Sequence, residues 1–199
     1  LHAPGEAPAR FRVSSIEPRD VDDALIDLLA SADGRVCRHL HLPLQAGSSK
    51  VLREMARPYD AERFVALVER LYRRIPQLAL STDIIVGFPG ETDAEFQETL
   101  DVARACRFAK IHAFPYSPRI GTPAAERADQ VPPAFKEARA AMLRALGDEL
   151  RASERAPPPP EPSSLRPWWR EGGVAMTESY FEVPAPAGAA PGALVEVTL

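Results

Sequence analysis

The run Leu78–Val86 (LALSTDIIV) most narrows what this chain can fold into. It is nearly continuous in apolar residues, ends at Gly87-Phe88-Pro89-Gly90, and reads as a strand of a parallel sheet buried on both faces. Shorter strand-like runs share its arrangement: Phe11–Ser15 (FRVSS), His39–Leu44 and Ala109–Phe114. Helical periodicity fills the intervals. Asp20 is placed to cap a helix with Val21, Ala24, Leu25, Leu28 and Leu29 on one face, and a short helix is expected over 49–56. Asp60 is placed to cap a second long helix, with Phe64, Leu67, Val68 and Leu71 inward. Thr92 and Glu95 have capping-box spacing and open a third, ending near Cys106. The last starts near Pro133, with Phe135, Ala138, Met142, Leu146 and Leu150 as its apolar set. Strands alternating with helices predict an α/β fold with about four parallel strands. Four strands do not close a barrel, so the expectation is the later part of a larger βα barrel.

Six prolines crowd between 157 and 167. They divide the sequence into a barrel body, 1–155, an extended linker, 156–167, and a small β tail, 168–199. The formal net charge of −4 gives no global attraction to nucleic acid. No apolar run has the length of a membrane span, and the two cysteines, Cys37 and Cys106, form no disulfide framework or metal motif. A cytoplasmic, monomeric protein is expected.

In parallel βα folds, ligands bind at the carboxyl ends of the strands. Every such end here is polar or rich in glycine: Ser14–Glu17, Gln45–Ser48, Gly87–Glu91 and Pro115–Ser117. Glu17 can accept from an amine or hydroxyl, and the Gln45 amide can both donate and accept, as a ribose requires. Gly87 and Gly90 permit close approach of backbone to a flat ligand. A rival reading takes His39 and His41, with Asp83 and His112, as the ligands of a metal-dependent barrel hydrolase.

Four segments carry a family resemblance: RVSSIEP (12–18), HLHLPLQAGSSKVLREMAR (39–57), STDIIVGFPGET (81–92) and FPYSPRIGTPA (114–124). In order and spacing they resemble radical S-adenosylmethionine (SAM) methylthiotransferases. The stretches 37–45 and 114–119 most resemble the branch that adds a methylthio group to C2 of N6-threonylcarbamoyladenosine beside the anticodon of tRNA. The resemblance implies a partial radical-SAM barrel, SAM and [4Fe-4S] clusters as cofactors, and tRNA as partner. It implies that Ser15 and Glu17 face the cofactor and Gln45 reads its ribose. Ile85, Val86 and Gly87 would pack on its adenine, with Phe114, Pro115 and Tyr116 contacting that base from the last strand. Arg57, Arg119 and Tyr180 become candidates for RNA contact. The family reaction cleaves SAM to a 5′-deoxyadenosyl radical, abstracts hydrogen from adenosine C2 and inserts sulfur bearing a methyl group.

Residues 176–183 and 192–197 resemble an RNA-binding TRAM domain, with Ser179 where asparagine is usual. Linker and tail together, 156–199, have two arginines against five glutamates, a weak cation supply for phosphate. Neither cysteine lies in C-x3-C-x2-C, so the cluster ligands are expected upstream of residue 1, no catalytic residue is identifiable within the chain, and the isolated chain is expected to be inactive. Alternatives within the family are methylthiolation of isopentenyladenosine in tRNA or of a ribosomal-protein aspartate. Outside it stand the metal hydrolase and a non-catalytic RNA-binding remnant.

Overall fold

The computed structural model describes residues 11–31, 36–152, 168–170, 174–177 and 182–184. The linker 156–167, Tyr180 and most of the tail lie outside the described residues.

Three parallel strands form the central sheet: β1 (His39–His41), β2 (Ala79–Val86) and β3 (Lys110–Pro115), in spatial order β1-β2-β3. In sequence they are separated by helices α2 (Ser49–Glu54), α3 (Ala61–Arg74) and α4 (Asp93–Cys106). Helix α1 (Asp23–Ser31) precedes the sheet, and α5 (Pro123–Glu126) and α6 (Pro133–Ala152) follow it. The register sets Ser81 beside Lys110, Asp83 beside His112 and Ile85 beside Phe114.

The expected fourth strand is not formed. Phe11–Ser15 runs along β1 through two parallel bridges, Phe11 to Val36 and Ser15 to His41, and the Ile16 N–H donates to the His41 carbonyl (3.1 Å). Phe11, Ser14 and Ser15 are exposed, so little burial rewards a continuous ladder. β1 is also shorter than expected, because the Leu44 N–H donates to the Thr82 hydroxyl (2.9 Å) instead of continuing the ladder. The chain still follows β2: Leu42 donates to the Ser81 carbonyl (2.8 Å) and Gln45 to that of Asp83 (2.9 Å).

Two helix ends form as their sequences require. The Asp60 carboxylate accepts from the Arg63 N–H (2.8 Å), starting α3 with Phe64, Val68 and Leu71 buried. The Thr92–Glu95 capping box closes reciprocally and starts α4. Two predicted faces are corrected. The cap of α1 is Asp22, whose Oδ1 accepts from the Leu25 N–H (2.8 Å), and Ile26 and Leu29 are buried while Leu28 stays exposed. α6 buries Arg139, Ala140, Leu143, Leu146, Gly147 and Leu150, leaving Phe135 and Met142 in solvent.

β2 is buried on both faces only over its first half, where Ala79 and Ser81 are buried as well. Leu80, Thr82, Ile84 and Val86 are fully buried and face the helices, whereas Asp83 and Ile85 on the other face are half-buried. The sheet therefore has one apolar face that carries the core and one mixed face that begins with His39 and His41 and ends at Phe114. Three short tail strands, β4 (Trp168–Arg170), β5 (Val174–Met176) and β6 (Glu182–Pro184), form an antiparallel sheet, and Arg12 donates to the carbonyl of buried Thr177 (3.2 Å). No described helix is long and apolar enough to cross a membrane.

Candidate functional site at the strand ends

The mixed face opens, at the carboxyl ends of the strands, into a cleft of about 640 Å³. Gln45 closes one side. Its backbone is left-handed (φ 66°), and its carbonyl accepts from the Ile85 N–H (2.8 Å), so its amide leaves the strand line at a fixed angle. Ile85 and Phe114, cross-strand partners, give the floor an apolar patch, and Asp83 adds a carboxylate. Phe88 and Tyr116 form the far wall, ring edge to ring face at 5.3 Å. Pro115, Ser117, Arg119, Thr122 and Ala124 complete the lining from the segment after β3.

That segment is pinned at several points. The Tyr116 N–H donates to the Val86 carbonyl (2.8 Å), and Lys136 Nζ donates to the Tyr116 carbonyl (3.0 Å). Arg127 forks onto Asp129 (2.9 and 2.6 Å) and reaches Glu54 (2.6 Å), tying the loop to α2. The Tyr116 hydroxyl is buried without a hydrogen-bond partner, a polar atom beside the cleft that a bound ligand or water can satisfy.

Of the expected cofactor residues, Gln45, Ile85, Phe114, Pro115 and Tyr116 come together in this lining. Arg57 is in it too, half-buried, and its Nη1 lies 3.5 Å from Glu17 Oε1, which brings Glu17 to the cleft margin. Arg119 lines the mouth and is exposed. Ser15 is exposed beside His41, away from the lining. Val86 and Gly87 lie outside that lining. The Val86 side chain is fully buried among the helices, and a Cβ on Gly87 would meet Lys136 Cγ at 2.2 Å. The Gly87 N–H is engaged by Glu91 Oε2 (2.6 Å). Gly87 serves close packing and a left-handed turn (φ 70°). Phe88 and Ser117 fall within the strand ends expected to bind ligand, whereas Thr122 and Ala124 lie beyond them. The signal for those two was the dense Pro, Gly and Thr content of 115–123, which builds a tight loop and the single turn of α5.

The histidine pair of β1 is bridged by the Ser81 hydroxyl. His39 Nε2 and His41 Nδ1 each lie 3.0 Å from the Ser81 hydroxyl, so that oxygen sits between them. His39 is almost fully buried, and burial, with the charges of Arg12 and His41, pulls its pKa down to about 3. The folded chain therefore holds His39 neutral where the unfolded chain would protonate it. Its contribution to stability is whole above the ordinary histidine pKa and is lost as pH falls from there toward 3. Between pH 6.5 and 5, wild type is expected to lose stability more steeply than His39→Gln, by up to about 1.4 kcal/mol per pH unit. Denaturant titrations at stepped pH measure it, and parallel slopes for the two proteins would refute it.

Comparison with known proteins agrees with this geometry. The Radical SAM superfamily profile matches residues 5–103. Proteins named tRNA-2-methylthio-N(6)-dimethylallyladenosine synthase are similar. That of Bacillus subtilis (strain 168) is 48% identical over 145 residues, covering 73% of this chain and 28% of the relative. That of Parafrankia sp. (strain EAN1pec) is 50% identical over 149 residues, covering 75% and 30%. The chain thus spans under a third of the length of these relatives. Among solved structures, coproporphyrinogen III oxidase from Escherichia coli, a radical SAM enzyme, superposes with a TM-score of 0.60 at 18% identity. That match covers 94% of this chain and 43% of the oxidase, and shows a shared fold. A three-stranded part of that barrel, a cleft at its strand ends and relatives at nearly half identity lead to one assignment: the chain belongs to the radical SAM methylthiotransferase family.

Proposed function

We propose that this chain is the later part of the barrel of a tRNA methylthiotransferase, which places a methylthio group on C2 of N6-dimethylallyladenosine. The observation that carries the reading is the high identity to synthases named for that product, over 73% of the chain. This reverses the order expected from the motifs alone, where the threonylcarbamoyl branch stood first.

In this reading the cleft takes the adenosyl end of SAM. Ile85 and Phe114 offer an apolar surface for a purine face, and the Gln45 amide offers a donor and an acceptor for ribose hydroxyls. The Tyr116 hydroxyl, buried beside them without a partner, gains one. Glu17, half-exposed and 3.5 Å from Arg57, is available to an ammonium group. The residues therefore fit SAM, which when bound supplies a carbon radical and a methyl group. They do not fit an iron–sulfur cluster. Cys37 and Cys106 are single buried thiols, and burial pushes the Cys106 pKa up to about 12, far from the thiolate a cluster requires. No step is assigned to a cluster within this chain.

Arg57 and Arg119 at the mouth supply cations for tRNA phosphate. A second reading keeps threonylcarbamoyladenosine as the nucleoside. Its carboxylate would suit a cleft carrying Arg57 and Arg119 better than a purely apolar dimethylallyl group does.

Nucleoside analysis of tRNA from a strain lacking the gene tests both. Loss of the methylthio group from dimethylallyladenosine, restored by wild type and not by Gln45→Ala, is expected. Its loss from threonylcarbamoyladenosine instead would select the second reading. Unchanged methylthiolation of both nucleosides would overturn the proposal.

A further inference from the structure

The mixed face of the sheet carries a second constellation, which shares Asp83 with the cleft. One side chain from each neighbouring strand takes part: His41 from β1, Asp83 from β2 and His112 from β3. The parallel register sets Asp83 directly beside His112, and His41 lies one residue pair back, beside Ser81. The three can each present one ligand atom with all three atoms within 4.8 Å of one another. All are half-buried, so the cluster is reachable, and Asp83 also lines the cleft.

We propose that His41, Asp83 and His112 form a binding site for one divalent first-row transition-metal ion, with an open coordination position toward the cleft. His41 Nε2 and Asp83 Oδ2 are 3.3 Å apart. Two ligand atoms each about 2.0–2.1 Å from a tetrahedral zinc are separated by about that much. The two imidazole rings lie 6.0 Å apart, centroid to centroid, at 52°, an arrangement from which a turn of the His112 ring brings a nitrogen to the same point.

The ring of His41 is already oriented. Its Nδ1 bonds the Ser81 hydroxyl (3.0 Å), leaving Nε2 as the atom that faces Asp83. Bound metals are commonly held through such an outer hydrogen bond on the far ring nitrogen of a histidine ligand. His39 bonds the same Ser81 oxygen from the other side (3.0 Å) and so supports the site without ligating. Among the described residues, His41 is the only side chain paired with the Asp83 carboxylate, with no lysine or arginine on it. Two imidazoles and one carboxylate favour zinc, iron(II) or cobalt(II) over magnesium or calcium, which prefer oxygen donors alone. The proposal does not depend on which nucleoside the family reaction uses.

The test is equilibrium dialysis of the full 199-residue chain against zinc or cobalt(II), with metal content and thermal midpoint as readouts. Expected are one ion per chain and a midpoint that rises with ion concentration. Asp83→Asn and His112→Ala should each weaken binding by about 100-fold or more, and His39→Gln by about tenfold at most. His112 is half-buried on an edge strand, so its variant should fold; its metal-free midpoint reports on that, and Asp83→Asn preserves shape where alanine would not. Saturable binding that survives both ligand variants, or no saturable uptake by wild type, would overturn the site.

Discussion

Replacing Arg139 by alanine is expected to destabilise the folded chain by about 3–5 kcal/mol, the range for removing one partner of a buried ion pair. Its guanidinium, on the inward face of α6, donates from Nη1 to Glu91 Oε2 (2.7 Å) and to the Glu91 carbonyl (3.2 Å), and from Nη2 to Asp93 (2.7 Å). The Glu91 side chain is fully buried, and without Arg139 its carboxylate keeps only the Gly87 N–H. Burial already raises the Glu91 pKa above the ordinary carboxylate value, and loss of the cation raises it further. A carboxyl with a raised pKa binds more protons folded than unfolded, so its share of stability is present at low pH and lost as pH rises through the shifted value. The deficit of Arg139→Ala should therefore shrink on acidification. Adding Glu91→Gln should recover much of it at neutral pH, since an amide needs no countercharge. Chemical denaturation of the two single variants and the double one gives the coupling, and a loss below about 1 kcal/mol for Arg139→Ala would show that the pair does not hold α6 to the β2–α4 turn.

The same residue shows where the sequence stops being legible. Asp60, Thr92 and Glu95 announce two helix starts because capping needs only a few neighbouring residues. The strand ends are legible for a similar reason: an apolar run that halts at Gly-Phe-Pro-Gly or Pro-Tyr-Ser must leave the sheet there, and the cleft forms at those points. The buried face of α6 is not legible, because two of its positions are not apolar. Arg139 is buried by partners distant in sequence, and Gly147 is buried because β3 comes close: a Cβ there would sit 3.4 Å from that of Ile111. Searching for large apolar residues selects Phe135 and Met142 instead, which lie in solvent. The mixed character of β2 was hidden likewise. Ser81 and Asp83 share one face of LALSTDIIV, and only the pairing with β1 and β3 gathers His41 and His112 around Asp83. Phe11–Ser15 has the composition of a strand, but what it pairs with decides whether a ladder forms, and two bridges are all it obtains.

Gly47→Ala is expected to be costly, although it adds one methyl group. The backbone of Gly47 lies so close to α4 that a Cβ would be 2.4 Å from Thr99 Cα and 3.0 Å from both the Glu98 carbonyl oxygen and the Thr99 nitrogen. All three are main-chain atoms of a helix, so no side chain can turn aside, and either the 45–48 loop or α4 must shift. Overpacking costs typically about 1–3 kcal/mol, and backbone against backbone belongs at the upper end. The Gly47 N–H also donates to the Thr99 hydroxyl (3.0 Å), which in turn donates to the Glu95 carbonyl (3.1 Å), and the displaced loop loses that anchor. Thr99→Ala separates the two effects. It removes the hydrogen bond but leaves the Cα where it is, and should cost about 1–3 kcal/mol, the range for a buried donor left unsatisfied. In Gly47→Ala the strain is transmitted to Gln45, two residues away and held left-handed by its bond to Ile85. If the cleft holds the adenosyl group as proposed, SAM affinity should fall about tenfold or more in Gly47→Ala and little in Thr99→Ala, since misplacing a positioned group by an ångström is expensive. Calorimetric titration of SAM with the full-length protein, beside the denaturation midpoints, reads both effects. Equal losses in the two variants would mean that the hydrogen bond, and not the close approach, sets the position of Gln45.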